Sequence, residues 1–99
     1  MADKLGAQER ATALPILASA GWAHDEARDA ITRTFKFKNF VEAWRWMSAI
    51  ALIAEKMDHH PEWFNVYGEV RVTLKTHDCN GLSELDLKLA RKLDALGRG

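Results

Sequence analysis

The chain has 99 residues, of which 47% are hydrophobic and 28% are charged, a composition typical of one globular domain and too short for two separate cores. Lys and Arg together number 14, as do Asp and Glu, so the formal net charge is zero. A neutral chain has no overall field that attracts polyanions or anionic lipids, so we expect neither direct nucleic-acid binding nor membrane binding.

The first part of the chain predicts one helix and two strands. Residues 7–20 predict a helix that stops at Gly21, while Pro15 predicts either a kink or a shorter ordered helix. Residues 22–25 predict a short strand. Residues 30–38 predict a half-buried strand, because apolar residues alternate there with polar ones.

A long second helix follows, from Phe40 to about Met57, with Asn39 as its N-cap. Apolar residues at helical spacing form one stripe: Phe40, Ala43, Trp44, Met47, Ile50, Ala51, Ala54 and Met57. Trp46 and Ile53 add apolar surface outside that stripe. The surplus predicts a second burial surface, against another copy of the chain. The alternative is a central helix that its own domain covers completely.

Pro61 ends this helix, and residues 62–67 and 69–76 then predict two strands joined at Gly68. The predicted core face of this hairpin consists of Phe64, Val66, Val70, Val72 and Leu74. Trp63 alternates with Phe64, so only one of these two rings is expected on the core face.

The last helix starts after Ser83 and ends at Gly97. Ser83 is the predicted N-cap, and with Asp86 three residues later it resembles a capping box. The predicted order is α-β-β-α-β-β-α. The simplest two-layer arrangement is an α+β fold, with three helices on one face of a four-stranded antiparallel sheet. We expect residues 1–99 to form this single domain.

The expected location is the cytoplasm. Cys79 is the only cysteine, so no disulfide forms within the chain, which favours a reducing compartment. Residues 1–10 are polar and lack the apolar segment of a signal peptide. The longest apolar run, residues 47–54, is too short to span a bilayer.

The most unusual local sequence is Glu55–Trp63, EKMDHHPEW. His59 and His60 stand at the helix end, immediately before the turn that Pro61 imposes. His77, at the end of a strand, is able to return to the same area. Histidine is the side chain best suited to exchanging protons near neutral pH, so the three predict acid–base chemistry.

Less specific interpretations stay open for each of these features. Adjacent histidines in a loop are more often ordinary surface residues. Asp58 and the two histidines also suit zinc, although neither an HExxH spacing nor a cysteine pair accompanies them. His24 is predicted to be a surface residue of a polar loop.

Residues 55–90 resemble the signature region of the pterin-4a-carbinolamine dehydratases, also known as dimerisation cofactors of a homeodomain transcription factor. The matching positions are Glu55, His59-His60-Pro61, Tyr67, His77 and Asp86. Upstream, Gly21-Trp22, Arg28–Ile31 and Phe35–Phe40 are similar to the same family. The resemblance therefore covers nearly the whole chain.

This resemblance implies that 4a-hydroxytetrahydrobiopterin, or a related pterin, loses water to give a quinonoid dihydropterin, without a metal or cofactor. It implies a homotetramer built as a dimer of dimers, acid–base catalysis by His59, His60 and His77, and support from Asp86. The implied substrate contacts are Glu55, Asp58, His59, His60, Pro61, Trp63, Lys75, Thr76, His77 and Asp78. The alternative is an interaction module that stabilises a partner protein's dimer through helix 40–57.

Overall fold

The computed structural model describes residues 2–97, and its elements follow the predicted order. The helices are α1 (Ala7–Ala20), α2 (Phe40–Met57) and α3 (Glu84–Leu96). The strands are β1 (Ala23–Asp25), β2 (Ala30–Lys36), β3 (Glu62–Val66) and β4 (Glu69–Leu74), and a short 3₁₀ turn, His77–Cys79, follows β4. Because α1 continues through Pro15 to Ala20, the shorter alternative for this helix is wrong.

The four strands form one antiparallel sheet in the order β1-β2-β4-β3. The helices cover one face, where the buried side chains of β4 are Val70, Val72 and Leu74. The other face, called the open face below, presents Phe64, Val66 and other exposed side chains. The α+β fold predicted from the sequence is thus confirmed. Within residues 2–97 no helix is long and apolar enough to cross a membrane.

The buried side of α2 shares Ala43, Met47, Ile50 and Ala54 with the predicted stripe but differs from it at the aromatic residues. Trp46 is only 5% exposed, whereas Phe40 and Trp44 are 47% and 57% exposed. Trp46 contacts Phe35 with a centroid distance of 4.5 Å, and its indole N–H donates to the Leu93 carbonyl at 3.3 Å. Both sides of α2 are apolar. The side that carries Trp46 packs inward, where the buried indole N–H finds a hydrogen-bond partner.

The predicted core face of β3 is also wrong. Phe64 and Val66 are 58% and 55% exposed, and Trp63 is the ring on the core side. The cause is the register, in which Trp63 pairs with the buried Val72. Paired residues point to the same face, and a shift of one residue moves every side chain to the opposite face.

Candidate active site

A pocket of about 310 Å³ opens where the end of α2, the start of β3 and the segment after β4 meet. Its lining consists of Asp58, His59, His60, Pro61, Glu62, Lys75, Thr76, His77, Asp78 and Leu85. Eight of these are among the ten residues predicted to contact substrate. Two segments distant in sequence therefore converge on one cavity.

One wall of the pocket is the connection between α2 and β3. Asp58 adopts a left-handed conformation with φ +52°. The backbone N–H groups of Asp58 and His59 donate back to the carbonyls of Glu55 and Ala54 at 3.1 and 3.0 Å. Such a reversal terminates a helix, and Pro61 then excludes a further helical turn. The histidine pair consequently lies in the short connection that leads into β3.

The opposite wall follows β4. Thr76 and Gly81 exchange two backbone hydrogen bonds, with N–O distances of 2.9 and 3.2 Å, around the 3₁₀ turn His77–Cys79. Asn80 closes the loop with φ +53°, a conformation that asparagine tolerates better than most residues. This loop brings His77 into the same pocket as the histidine pair and places Thr76 beside the start of α3.

Asp86 is a fully buried carboxylate that contacts both walls. Its Oδ1 accepts a hydrogen bond from His59 Nε2 at 2.6 Å. Its Oδ2 accepts from the Thr76 hydroxyl at 2.7 Å and from the Ser83 backbone N–H at 2.9 Å. Ser83 is the N-cap of α3, so the predicted capping box is confirmed and also holds the histidine.

The direction of each hydrogen bond in this network follows from counting protons. The Thr76 hydroxyl gives its single proton to Asp86, so the Ser83 hydroxyl, 2.6 Å away, donates to Thr76. The Ser83 oxygen in turn accepts from the Leu85 N–H at 3.2 Å. With Asp86 accepting only, the proton shared with His59 belongs to Nε2. The ring nitrogen left for the pocket is therefore Nδ1.

The other two histidines are held less firmly. His60 Nε2 lies 2.8 Å from Glu55 Oε1, but the two side chains are 57% and 81% exposed. An ion pair so open to solvent contributes little to stability. His77 is exposed as well. The pocket thus combines one buried, oriented imidazole with two that are accessible to solvent.

Glu62 and Leu85 line the pocket although the sequence did not single them out. Glu62 is held by Arg28, whose Nη1 and Nη2 donate to the two carboxylate oxygens at 3.0 and 2.8 Å. This guanidinium lowers the pKa of Glu62 below its ordinary value. The sequence marks Glu62 only by its position next to Pro61, and the apolar side chain of Leu85 gives no sign of a site.

Three predicted features lie elsewhere. Glu55 contacts His60 from outside the lining, and the Trp63 ring lies 6.4 Å from that of Trp46. His24 is not a loop residue: it belongs to β1, and its Nε2 lies 2.8 Å from Asp29 Oδ1. Neither it nor Asp29 borders the pocket.

The family model described as "Pterin 4 alpha carbinolamine dehydratase" matches residues 3–96. The chain belongs to the pterin-4a-carbinolamine dehydratase family. A relative from Jannaschia sp. is 57% identical over 98 residues, which is 99% of this chain and 100% of the relative. A relative from Bradyrhizobium sp. is 53% identical over 96 residues, or 97% of this chain and 94% of the relative. Both carry the provisional name pterin-4-alpha-carbinolamine dehydratase.

Solved structures share the fold of this dehydratase-family chain. The crystal structure of a transcriptional coactivator/pterin dehydratase from Brucella melitensis is 52% identical, with a TM-score of 0.88 over 96% of this chain and 99% of that one. A pterin dehydratase-like protein, identified as a RuBisCO assembly factor in the alpha-carboxysome, has a TM-score of 0.69 at 21% identity. That likeness covers 80% of this chain and 92% of the other, and it shows a common fold.

Proposed function

We propose that this chain dehydrates 4a-hydroxytetrahydropterins, with 4a-hydroxytetrahydrobiopterin as the reference substrate. The observation that carries the proposal is the convergence of His59, His60 and His77 on one pocket, with His59 oriented by the buried Asp86. The reaction would serve tetrahydropterin recycling. We place it in the cytoplasm because the single thiol of Cys79 suits a reducing compartment.

The reaction needs one acid and one base. The C4a–O bond breaks as a proton reaches the leaving hydroxyl, and the N5 proton leaves as the C4a–N5 double bond forms. The products are water and a quinonoid dihydropterin, so atoms and charges balance. Imidazoles suit both transfers, because they take and give protons near neutral pH.

The three histidines differ in their hydrogen bonds and in their exposure to solvent. His59 keeps a proton on Nε2 through Asp86 and offers Nδ1 to the pocket, as a base or, once protonated, as an acid. His60 and His77 are exposed and exchange protons with water readily. We infer that the oriented ring carries out one of these two proton transfers and that an exposed ring carries out the other.

Carboxylates supply recognition of the pterin in this proposal. The pyrimidine edge of a pterin carries adjacent N–H donors, which a carboxylate accepts in pairs as it does from a guanidinium. Asp58 and Asp78 line the pocket, whereas both oxygens of Glu62 already accept from Arg28. We therefore assign the pyrimidine edge to Asp58 or Asp78, with Lys75 and Thr76 as further polar contacts.

The test of this function is a stopped-flow ultraviolet assay in which purified protein meets freshly generated 4a-hydroxytetrahydrobiopterin. We expect breakdown faster than the spontaneous reaction, in proportion to protein concentration. Breakdown at the buffer rate with a folded protein would reject the enzymatic proposal.

A metal-independent rate is a further expectation. Within residues 2–97 no group of three His, Cys, Asp or Glu side chains is arranged to hold a metal ion, and His59 Nε2 is already bonded to Asp86. Exhaustive EDTA treatment should leave the dehydration rate within about twofold, since proton transfer by imidazole needs no metal. Loss of activity on chelation, restored by zinc, would replace this mechanism by a metal-assisted one.

We also propose a homotetramer, built as a dimer of dimers, which requires two different interfaces on each chain. The exposed side of α2 carries Phe40, Val41, Trp44 and Leu52, and the open face at β3 carries Phe64, Val66 and Tyr67. Exposed apolar patches often mark interaction sites, so each of these two sides is a candidate interface between copies.

The assembly prediction concerns Trp44, which is 57% exposed and stacks on Phe40 with a centroid distance of 6.2 Å. Trp44→Glu should convert a tetramer into a smaller species in light scattering during gel filtration. Lys92→Glu, on the exposed side of α3, serves as the charge-changing control. A monomer mass for the unmodified protein at micromolar concentration would contradict the proposal.

A second candidate function is the interaction module. One observation favours it: the side of α2 that carries Phe40, Val41, Trp44 and Leu52 is exposed in the single chain. The Brucella melitensis structure is described both as a coactivator and as a dehydratase. In this alternative the same surface binds a partner protein. A dehydratase-inactive chain that still forms a defined complex through Trp44 would favour this function.

A further inference from the structure

An ionic cluster outside the pocket lining centres on Asp29, in the turn between β1 and β2. Its two oxygens accept from Nη1 and Nη2 of Arg10 at 2.7 and 2.8 Å. Oδ1 also lies 2.8 Å from His24 Nε2, and Oδ2 accepts from the Leu82 backbone N–H at 3.2 Å. One carboxylate thus joins α1, β1 and the segment that leads into α3.

The carboxylate is charged and closely fitted. Hydrogen bonding from Arg10 holds the pKa of Asp29 well below its ordinary value, and the side chain is 18% exposed. Gly81 has no side chain where Asp29 approaches, and a Cβ there would collide with Oδ2. Asp29 itself adopts φ +53°, a left-handed conformation that has some conformational cost for a residue with a side chain.

The segment that Asp29 holds is continuous with the support of His59. Gly81 forms the backbone bridge with Thr76. Ser83, on the other side of Leu82, donates to Asp86. Thr76 and Asp86 are the two groups that, with His59, form the buried network. A displacement of residues 81–83 therefore changes both the position of Asp86 and that of Thr76.

We propose that Asp29 is a positioning residue for the dehydratase site: it holds residues 81–83, and through them Thr76 and Asp86, so that His59 keeps its orientation. The inference rests on the proposed function for its kinetic consequence. Its structural consequence, the state of the His59 ring, is measurable without any substrate.

The chain offers a matched control in Asp94, on α3. Asp94 is 15% exposed, accepts from Arg33 at 2.6 Å, and accepts from the Trp22 indole N–H at 3.0 Å. It does not line the pocket. Asp29 and Asp94 are thus both partly buried aspartates that pair with an arginine. Asp29 contacts the segment 81–83, which holds the hydrogen-bond partners of His59, whereas Asp94 lies away from that segment.

The experiment compares Asp29→Asn with Asp94→Asn. Both variants should lower the denaturation midpoint, because each loses a charge-assisted hydrogen bond. Only Asp29→Asn should lower kcat, by about tenfold, since small displacements of a catalytic group are costly, while KM changes little. Long-range ¹⁵N–¹H spectra of the imidazoles should show altered His59 nitrogen shifts in Asp29→Asn and unchanged shifts in Asp94→Asn.

Arg10→Gln is the milder second variant, for use if Asp29→Asn does not fold, because it leaves the Leu82 contact in place. It should give the same changes at smaller amplitude. Unchanged kcat and unchanged His59 shifts in folded Asp29→Asn, or in Arg10→Gln where the former does not fold, would overturn the inference. If the unmodified protein is not a dehydratase, the proposed function fails, and the His59 spectra alone still decide the positioning role.

Discussion

Replacing His59 with Ala is expected to slow dehydration about 10²–10⁴-fold, the usual contribution of a general acid or base. The same range applies to His60→Ala and His77→Ala, since the structure brings all three side chains to one pocket. The largest loss is expected for His59, because it is the ring that a buried carboxylate orients. Rates with the 4a-hydroxytetrahydropterin substrate measure these losses, and a circular dichroism melt confirms folding.

His24→Ala is the control for the histidine series, because His24 belongs to β1 and does not border the pocket. Its removal takes one of several partners from Asp29, which keeps both Arg10 bonds and the Leu82 N–H, so kcat should stay within about twofold. If the folded His59→Ala, His60→Ala and His77→Ala variants all kept nearly full activity, the active site would lie elsewhere.

Asp86→Asn is expected to lower kcat by a similar factor through the tautomer of His59. The Ser83 backbone N–H always donates, so the amide oxygen of Asn must stay at the Oδ2 position. The amide NH₂ then faces His59 Nε2, which has to become an acceptor, and the ring proton moves to Nδ1. The nitrogen that faces the pocket then no longer offers a lone pair, and loss of a general base costs about 10²–10⁴-fold in rate.

The tautomer change separates this prediction from simple destabilisation. Imidazole ¹⁵N–¹H spectra of Asp86→Asn should place the His59 proton on Nδ1. Glu84→Gln is the control: it removes an exposed carboxylate two residues earlier in α3 and should alter neither the spectrum nor the rate. An Asp86→Asn variant that keeps full activity with the Nε2–H tautomer would contradict the assigned role of Asp86.

Features with local physical causes were predictable from the sequence. Gly21 stops α1, Asn39 and Ser83 cap α2 and α3, and strict alternation predicted β4. Each of these depends on a few neighbouring residues, so a single sequence contains the necessary information. The histidine motif similarly predicted most of the pocket lining, because it combines local spacing with a long resemblance.

Features that depend on the tertiary arrangement were not predictable. The inward position of Trp46 depends on a carbonyl of α3, 47 residues later. The outward position of Phe64 depends on the register with β4, and Glu62 is held in the pocket lining by Arg28, which is 34 residues earlier in the sequence. Periodicity finds apolar faces, but when an element has two of them it does not decide which one is buried.

Binding of a non-reactive pterin tests the central claim most directly. Tetrahydrobiopterin has the substrate's ring but no 4a-hydroxyl, and the chain's four histidines serve as natural probes when labelled with ¹⁵N. The account predicts that titration shifts the imidazole nitrogens of His59, His60 and His77, leaves those of His24 unchanged, and keeps His59 protonated at Nε2. Saturable binding that shifts His24 alone, or none of the three pocket histidines, would contradict it.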